Sequence, residues 1–304
     1  MKNVLHFDTI SEYNDYNNHK TLHPLVSVID FAKAKERTGN KMIFGIYCVF
    51  LKDVVCGDLK YGRHYYDYQE GTLVFIAPGQ FIDVENKTDF YQPMGHALVF
   101  HPDLIRGTSL AGRMNDYTFF NYNTNEALHL SAEERHLVLD LFSKINDELQ
   151  HPVDKHSKKL IASGIELFLN YCERFYDRQF ITRENVNKGI LEKFENLLNS
   201  YFSSNNPTEI GLPSVAYCAD ELNLSANYFG DLIRKETGKS AQEYIQAKII
   251  DVAKDKLFDS DKTINEIAYE LGFKYPQHFS RMFKKTTGTS PSEYKKRIDI
   301  VSLP

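Results

Sequence analysis

From about Lys41 to Phe100 the apolar residues fall in short runs, IFGIYCVFL, HYYDYQ, GTLVFIAPG and ALVFHP, rich in β-branched and aromatic side chains and bounded by Gly, Pro or Asp. That spacing predicts the strands of an antiparallel barrel or sandwich. After residue 130 the period lengthens to that of a helix. Ser131 and Glu134 form a capping box, and Leu137, Val138, Leu141, Phe142, Ile145 and Leu149 follow at helical spacing until His151-Pro152. A second helix is expected from about His156 to Phe175, with Leu160, Ile161, Ile165, Phe168, Leu169 and Cys172 facing inward, so that a helical hairpin ends the β domain. Residues 177–187, DRQFITRENVN, are polar and aperiodic, and the linker is placed there, between domains 1–176 and 188–304. Everything after it is helical, starting with the stripe Ile190, Leu191, Phe194, Leu197, Leu198 and Tyr201 that ends at SSNNP. The predicted fold class is therefore α+β, in two domains.

The C-terminal half contains an internal repeat. FGDLIRKETGKSAQEY, 229–244, aligns without gaps on FSRMFKKTTGTSPSEY, 279–294, with Phe229/Phe279, Lys235/Lys285, Thr237/Thr287, Gly238/Gly288, Ser240/Ser290, Glu243/Glu293 and Tyr244/Tyr294 identical. Upstream, VAYCADELNLS aligns with INEIAYELGFK at an offset of 49 instead of 50, so one residue is added in the connecting turn. In the second copy Thr263 and Glu266 cap a helix whose Ile267, Ala268 and Leu271 face inward, and the small Ala268 permits a close helix crossing. Gly272 supplies a tight turn, a second helix starts near Tyr275-Pro276 with Phe279, Met282 and Phe283 apolar, and Gly288 ends it. Two short helices joined by a Gly-containing turn make a helix-turn-helix, here present twice. The helix between the copies, from about Ala241 to Phe258, would be roughly 27 Å long and could set two reading helices about one DNA turn of 34 Å apart.

Charge sharpens this picture. The net charge of −5 is unusual for a DNA binder, but it is unevenly spread: residues 270–298 hold seven Lys and Arg against two Asp and Glu. The outward face of the last reading helix carries Gln277, His278, Ser280, Arg281, Lys284 and Lys285, a mixture of base-edge and phosphate partners. Hydrophobic residues make up 42% and charged residues 25%, as in folded globular chains. No run of 18 apolar residues and no leader-like start is present, and Cys48, Cys56, Cys172 and Cys218 form no CxxC pair and are expected as buried small hydrophobes. These features predict a cytoplasmic protein with no membrane partner.

The tandem unit, with GF before the second reading helix, FSRMFKKTTGTSPSEY after it and YFGDLIRKETGKSAQEYI in the first copy, resembles the AraC/XylS family of transcription regulators over about residues 210–298. The region before residue 177 is similar, on the looser pattern EGTLVFIAPGQ plus two helices, to that family's cupin-like effector domain. The resemblance implies binding of promoter DNA, a small-molecule effector or signal input in the β domain, homodimerisation through the helical hairpin, and contact with RNA polymerase if the output is activation. Carried over by position, it implies base reading by Asn227, Gly230 and Asp231 in the first unit and by Pro276, Gln277, His278 and Arg281 in the second. Lys274, Ser280, Lys284 and Lys285 are assigned to phosphates. Two positions depart from the expected pattern: Asp231 stands where the second copy has Arg281, and Pro276 has no donor. The second unit is therefore expected to supply more of the affinity.

A metal enzyme is the rival from another class. A cupin metal cage needs converging ligands, and here GRHYYDYQEG puts Tyr66 two positions after His64, leaving Glu70 with His96 or His101 as scattered candidates. His19 and His23 have zinc-pair spacing only on a helix, and Pro24 favours a loop. No phosphate-cradling GxGxxG or GxxxxGK[ST] and no GxSxG is present, so no cofactor and no catalytic residue are expected. The aromatic set Tyr47, Tyr61, His64, Tyr65, Tyr66, Tyr68 and Phe75 either lines an effector pocket, with Tyr47, His64, Tyr66, Tyr68 and Phe75 its core, or is ordinary sheet packing.

Overall fold

The computed structural model describes residues 4–35, 40–52, 71–83, 92–123, 126–182, 184–258 and 262–301. The chain forms two compact units, residues 1–182 and 183–304. The first contains, in chain order, β1 (Val4–Phe7), α1 (Ile10–Tyr16), β2 (Val26–Asp30), β3 (Lys41–Phe44), β4 (Tyr47–Lys52), β5 (Thr72–Ile76), β6 (Phe81–Asp83), β7 (His96–Phe100), α2 (Pro102–Ile105), α3 (Ser109–Arg113), β8 (Leu128–His129), α4 (Ala132–Gln150) and α5 (Ser157–Thr182). Five strands pair antiparallel in the order β2-β7-β4-β5-β8, and three form a small sheet in the order β1-β3-β6. The β1–β3 pair is parallel, an exception to the antiparallel expectation. One core lies between the sheets, with Phe7, Met42, Phe44 and Ile82 from the small one and Ile29, Cys48, Phe50, Val74, Ile76, Ala97 and Val99 from the large one.

Three local expectations are corrected here. The run IFGIYCVFL is not one strand: it divides into β3 and β4, which belong to different sheets. Gly45 marks the crossing, because its N–H donates to the Phe7 carbonyl at 2.9 Å and a Cβ there would lie 2.5 Å from Asp8 Oδ1. Second, residues 177–182, expected as linker, are the last turns of α5, with Gln179 and Phe180 buried. Their polarity serves the sheet edge. Gln179 Oε1 accepts from the His129 N–H at 2.8 Å, its Nε2 donates to the Ala127 carbonyl at 3.2 Å, and Arg178 donates to Glu134 and to the His129 carbonyl. Along α5 the inward stripe is Ile161, Ile165, Phe168, Leu169 and Cys172, whereas Leu160, expected inside, is 55% exposed.

The second unit is all helix: α6 (Glu184–Ser203), α7 (Asn206–Ile210), α8 (Val215–Glu221), α9 (Ala226–Thr237), α10 (Ala241–Phe258), α11 (Ile264–Glu270), α12 (Pro276–Thr287) and α13 (Pro291–Val301). α10 packs against α8 and α9 of the first copy and against α11, α12 and α13 of the second. Its buried Ile245, Ile249, Ile250, Ala253 and Leu257 thus give both copies a shared floor. From α6, Phe194 meets Phe229 edge to face at 4.9 Å and Tyr244 at 5.3 Å.

Candidate DNA-binding site

The duplicated sequence folds into duplicated hydrogen bonds. In each copy the first helix ends on a wrapped turn: the Leu224 N–H donates to the Ala219 carbonyl at 2.9 Å, and the Phe273 N–H to the Ala268 carbonyl at 3.0 Å. Ala219 and Ala268 are buried, as a close crossing of two helices requires. The turn places one residue in the left-handed region, Gly272 at φ 92° and, in the first copy, Asn223 at φ 57°. Asn is among the few residues with a side chain that tolerate this conformation. Asn223 was not singled out from sequence, although the repeat alignment sets it opposite Gly272.

Gly272 is constrained further. A Cβ there would lie 2.7 Å from the Gly211 carbonyl carbon and 2.7 Å from the Pro207 carbonyl oxygen. Gly211 is in turn fixed by the Tyr201 hydroxyl, which donates to its carbonyl at 2.9 Å. α6 and α7 therefore buttress the second turn directly.

The reading helices end alike. Gly238 and Gly288 close α9 and α12 in the left-handed region, and their N–H groups donate to the Arg234 and Lys284 carbonyls, both at 2.9 Å. Thr237 and Thr287 hydroxyls each reach back to the carbonyl four residues earlier and forward to the carbonyl two residues later. Ser240 with Glu243, and Ser290 with Glu293, then form the expected boxes, the serine N–H donating to the carboxylate at 2.8 Å in both. The Ser240 hydroxyl and backbone hold the Glu243 carboxyl below its ordinary pKa, and the Thr263 backbone and hydroxyl do the same for Glu266.

On α12 Phe279 and Phe283 are buried and Met282 half-buried, with Phe283 edge-on to Tyr294 at 5.4 Å. The other side is exposed: Gln277, Arg281 and Lys284 lie at i, i+4 and i+7, flanked by exposed His278 and Lys285, half-buried Ser280 and, just before the helix, exposed Lys274. Of the second-copy residues expected from sequence, Pro276 and Ser280 are half-buried and the others exposed. Glu270, the acidic residue nearest it in sequence, is paired with Lys256 at 3.1 Å and with Lys262, and the Lys262 hydrogen bond leads in holding its carboxyl below the ordinary value. On α9, Asn227 is exposed and Asp231 half-buried, with Arg234 and Lys235 exposed in the last turns. Tyr228, opposite His278 in the repeat, is buried, so the first reading face is narrower.

In the first unit the expected pocket residues part company. Tyr47 stacks on Phe100 at 4.9 Å and meets Phe120 edge-on at 5.2 Å, while Phe75 meets Phe119 at 4.5 Å and Tyr176 of α5 at 6.2 Å. Strand alternation puts both on the face opposite Cys48, Phe50, Val74 and Ile76, so neither lines the space between the sheets. His64, Tyr66 and Tyr68 lie outside the described residues, as does Glu70. His101 caps α2, its Nδ1 accepting from the Asp103 N–H at 3.1 Å, and His96 lies at the other end of β7. Among the described residues no group of three His, Cys, Asp or Glu could hold a metal ion. His19 and His23 lie in a loop, where burial lowers both imidazole pKa values.

Two helix-turn-helix hairpins packed on one shared helix, the later one with a basic, outward second helix, define a DNA-binding protein of the helix-turn-helix class. The Helix-turn-helix domain family HTH_18 matches residues 218–297. The transcriptional regulatory protein YesN of Bacillus subtilis is 33% identical over 94 residues, covering 29% of this chain and 26% of YesN. The HTH-type transcriptional regulator YobQ of the same organism is 34% identical over 257 residues, 81% of this chain and 95% of YobQ. The solved C-terminal domain of AraT, a response regulator from Geobacillus stearothermophilus, is 26% identical with a TM-score of 0.32, covering 36% of this chain and 84% of that one. The chain belongs to the AraC family of HTH-type transcriptional regulators.

Proposed function

We propose that the regulator reads two successive major grooves on one face of promoter DNA, with α12 supplying most of the affinity and α9 mainly position. The observation that carries this reading is the exposed row Gln277, Arg281 and Lys284 on α12, backed by buried Phe279 and Phe283. Arg281 is assigned to a guanine, Gln277 and Asn227 to adenines, His278 to a base edge, and Asp231 to a cytosine amino group. Lys274, Ser280, Lys284 and Lys285 take phosphates. The 18 residues of α10 span about 27 Å, close to the roughly 34 Å turn that separates successive grooves.

The first unit is assigned control, by a small-molecule effector or by homodimerisation. A cavity of about 420 Å³ between β2, β7 and α4, lined in part by His19, Asp30, Lys33, His96 and Phe142, supports the former. Exposed Leu160 and Leu167, seven residues apart on α5, support the latter. No helix among the described residues is long and apolar enough to cross a membrane, which agrees with a cytoplasmic regulator that meets RNA polymerase if it activates. Selection of bound duplexes from a random pool with the full chain tests the reading. Two half-sites one turn apart, bound with steep salt dependence, are expected, and recovery of no sequence preference would overturn it.

A further inference from the structure

The two reading helices start differently. In the first copy Ser225 caps α9, its hydroxyl accepting from the Tyr228 N–H at 3.1 Å. Counted back from the matched Phe229 and Phe279, the same N-cap position in the second copy is Tyr275, which gives α12 no side-chain cap, and the start is set by Pro276, which has no N–H to satisfy. A capping hydroxyl has been exchanged for a phenol ring that stands 56% exposed. Neither an uncapped helix start nor a large aromatic ring in water helps the fold. Conflicts of this kind between local rules and sequence concentrate where a protein does its work.

The ring's surroundings say what that work is. Tyr275 lies between exposed Lys274 and the row that begins at Gln277, and it meets the His278 ring edge to face, with centroids 5.5 Å apart. It therefore sits at the N-terminal end of α12, the end whose side chains approach base edges when a reading helix enters the major groove. Base pairs offer one apolar group on that edge, the 5-methyl of thymine. We propose that Tyr275 is a specificity residue, packing its ring against the methyl group of a thymine in the second half-site and holding His278 in line beside it. The proposal rests on the α12 reading above.

The test uses the full chain and a duplex recovered from the random pool, in which each thymine is replaced singly by uracil to delete its methyl. At one thymine in the second half-site the unaltered chain should weaken about fourfold, the worth of one buried methyl. Tyr275→Phe should behave the same, because it keeps the ring. Tyr275→Ser should bind the thymine duplex about fourfold more weakly, ignore that uracil, and melt no lower than the parent, since serine restores the first copy's cap. A Tyr275→Ser chain with the parent's uracil profile, or a parent sensitive to no thymine, overturns the proposal while salt-dependent binding leaves the α12 reading intact. An unaltered chain that binds no duplex overturns both.

Discussion

The two helix-turn-helix copies share an interior and differ in surface. Inside, Ala219 and Ala268, and Phe229 and Phe279, occupy matching positions and are buried in both copies. Outside, residues 220–248 hold four Lys and Arg against five Asp and Glu, whereas the matching window 270–298 holds seven against two. Packing restricts the first set to what fits, while solvent leaves the second set to be chosen by the partner. On the proposed reading, the difference marks the positions that face DNA and the copy that grips it harder.

Four experiments break or sharpen that contrast. The largest effect is expected from the turn: Gly272→Ala meets both a left-handed φ and the backbone of Gly211, and should cost about 3 kcal/mol in denaturant unfolding of the full chain. Asn223→Gly at the matching position should change stability by less than about 1 kcal/mol. Equal losses would show that the α7 buttress carries no energy. Next, Arg281→Ala should weaken operator binding by about 1–3 kcal/mol and relax preference at one base pair, measured by titration against single-base variants. Lys284→Ala should instead weaken all duplexes alike and lower the salt slope by about one.

Asp231→Arg makes the first copy resemble the second. Binding to unrelated duplexes should tighten and the salt slope rise by about one, and an unchanged slope would place α9 away from the phosphates. The smallest effect concerns acid. Glu270, held chiefly by the Lys262 hydrogen bond below its ordinary pKa of 4.5, contributes stability that is present above that value and lost as pH falls through its lower folded one. Glu270→Gln should therefore lower the neutral plateau of a melting-temperature profile slightly, leave the most acid end in place and so flatten the acid limb.

Legibility from sequence followed the same line. The boxes Thr263–Glu266, Ser240–Glu243 and Ser290–Glu293, the Gly272 turn and the span Ala241–Phe258 were readable because each depends on neighbours a few residues apart, and the Ser–Glu boxes with the preceding Gly238 and Gly288 were written twice. The β unit was harder. Gly45 looks like any glycine in a strand until Asp8, far earlier in the chain, is placed beside it. Gln179 and Arg178 look like linker until β8 supplies their partners. Tyr47 and Phe75 could not be phased because alternation permits either face, and only the rings of Phe119 and Phe120 decide it. Leu160 was misplaced by a single position on a stripe broad enough to admit it.

The unbroken α10 has a consequence for how such a regulator can change its target. A helix is a protractor as well as a ruler: each inserted residue swings everything after it by about 100° and advances it about 1.5 Å. One extra residue would turn the second copy's basic surface away from the duplex, and seven, which bring it back to within about 20° of its bearing, would move it roughly 10 Å onward, about three base-pair steps and well short of the next groove on that face. Operator spacing in this architecture is therefore held by the length of one helix, while the letters read at each end remain free to vary one side chain at a time.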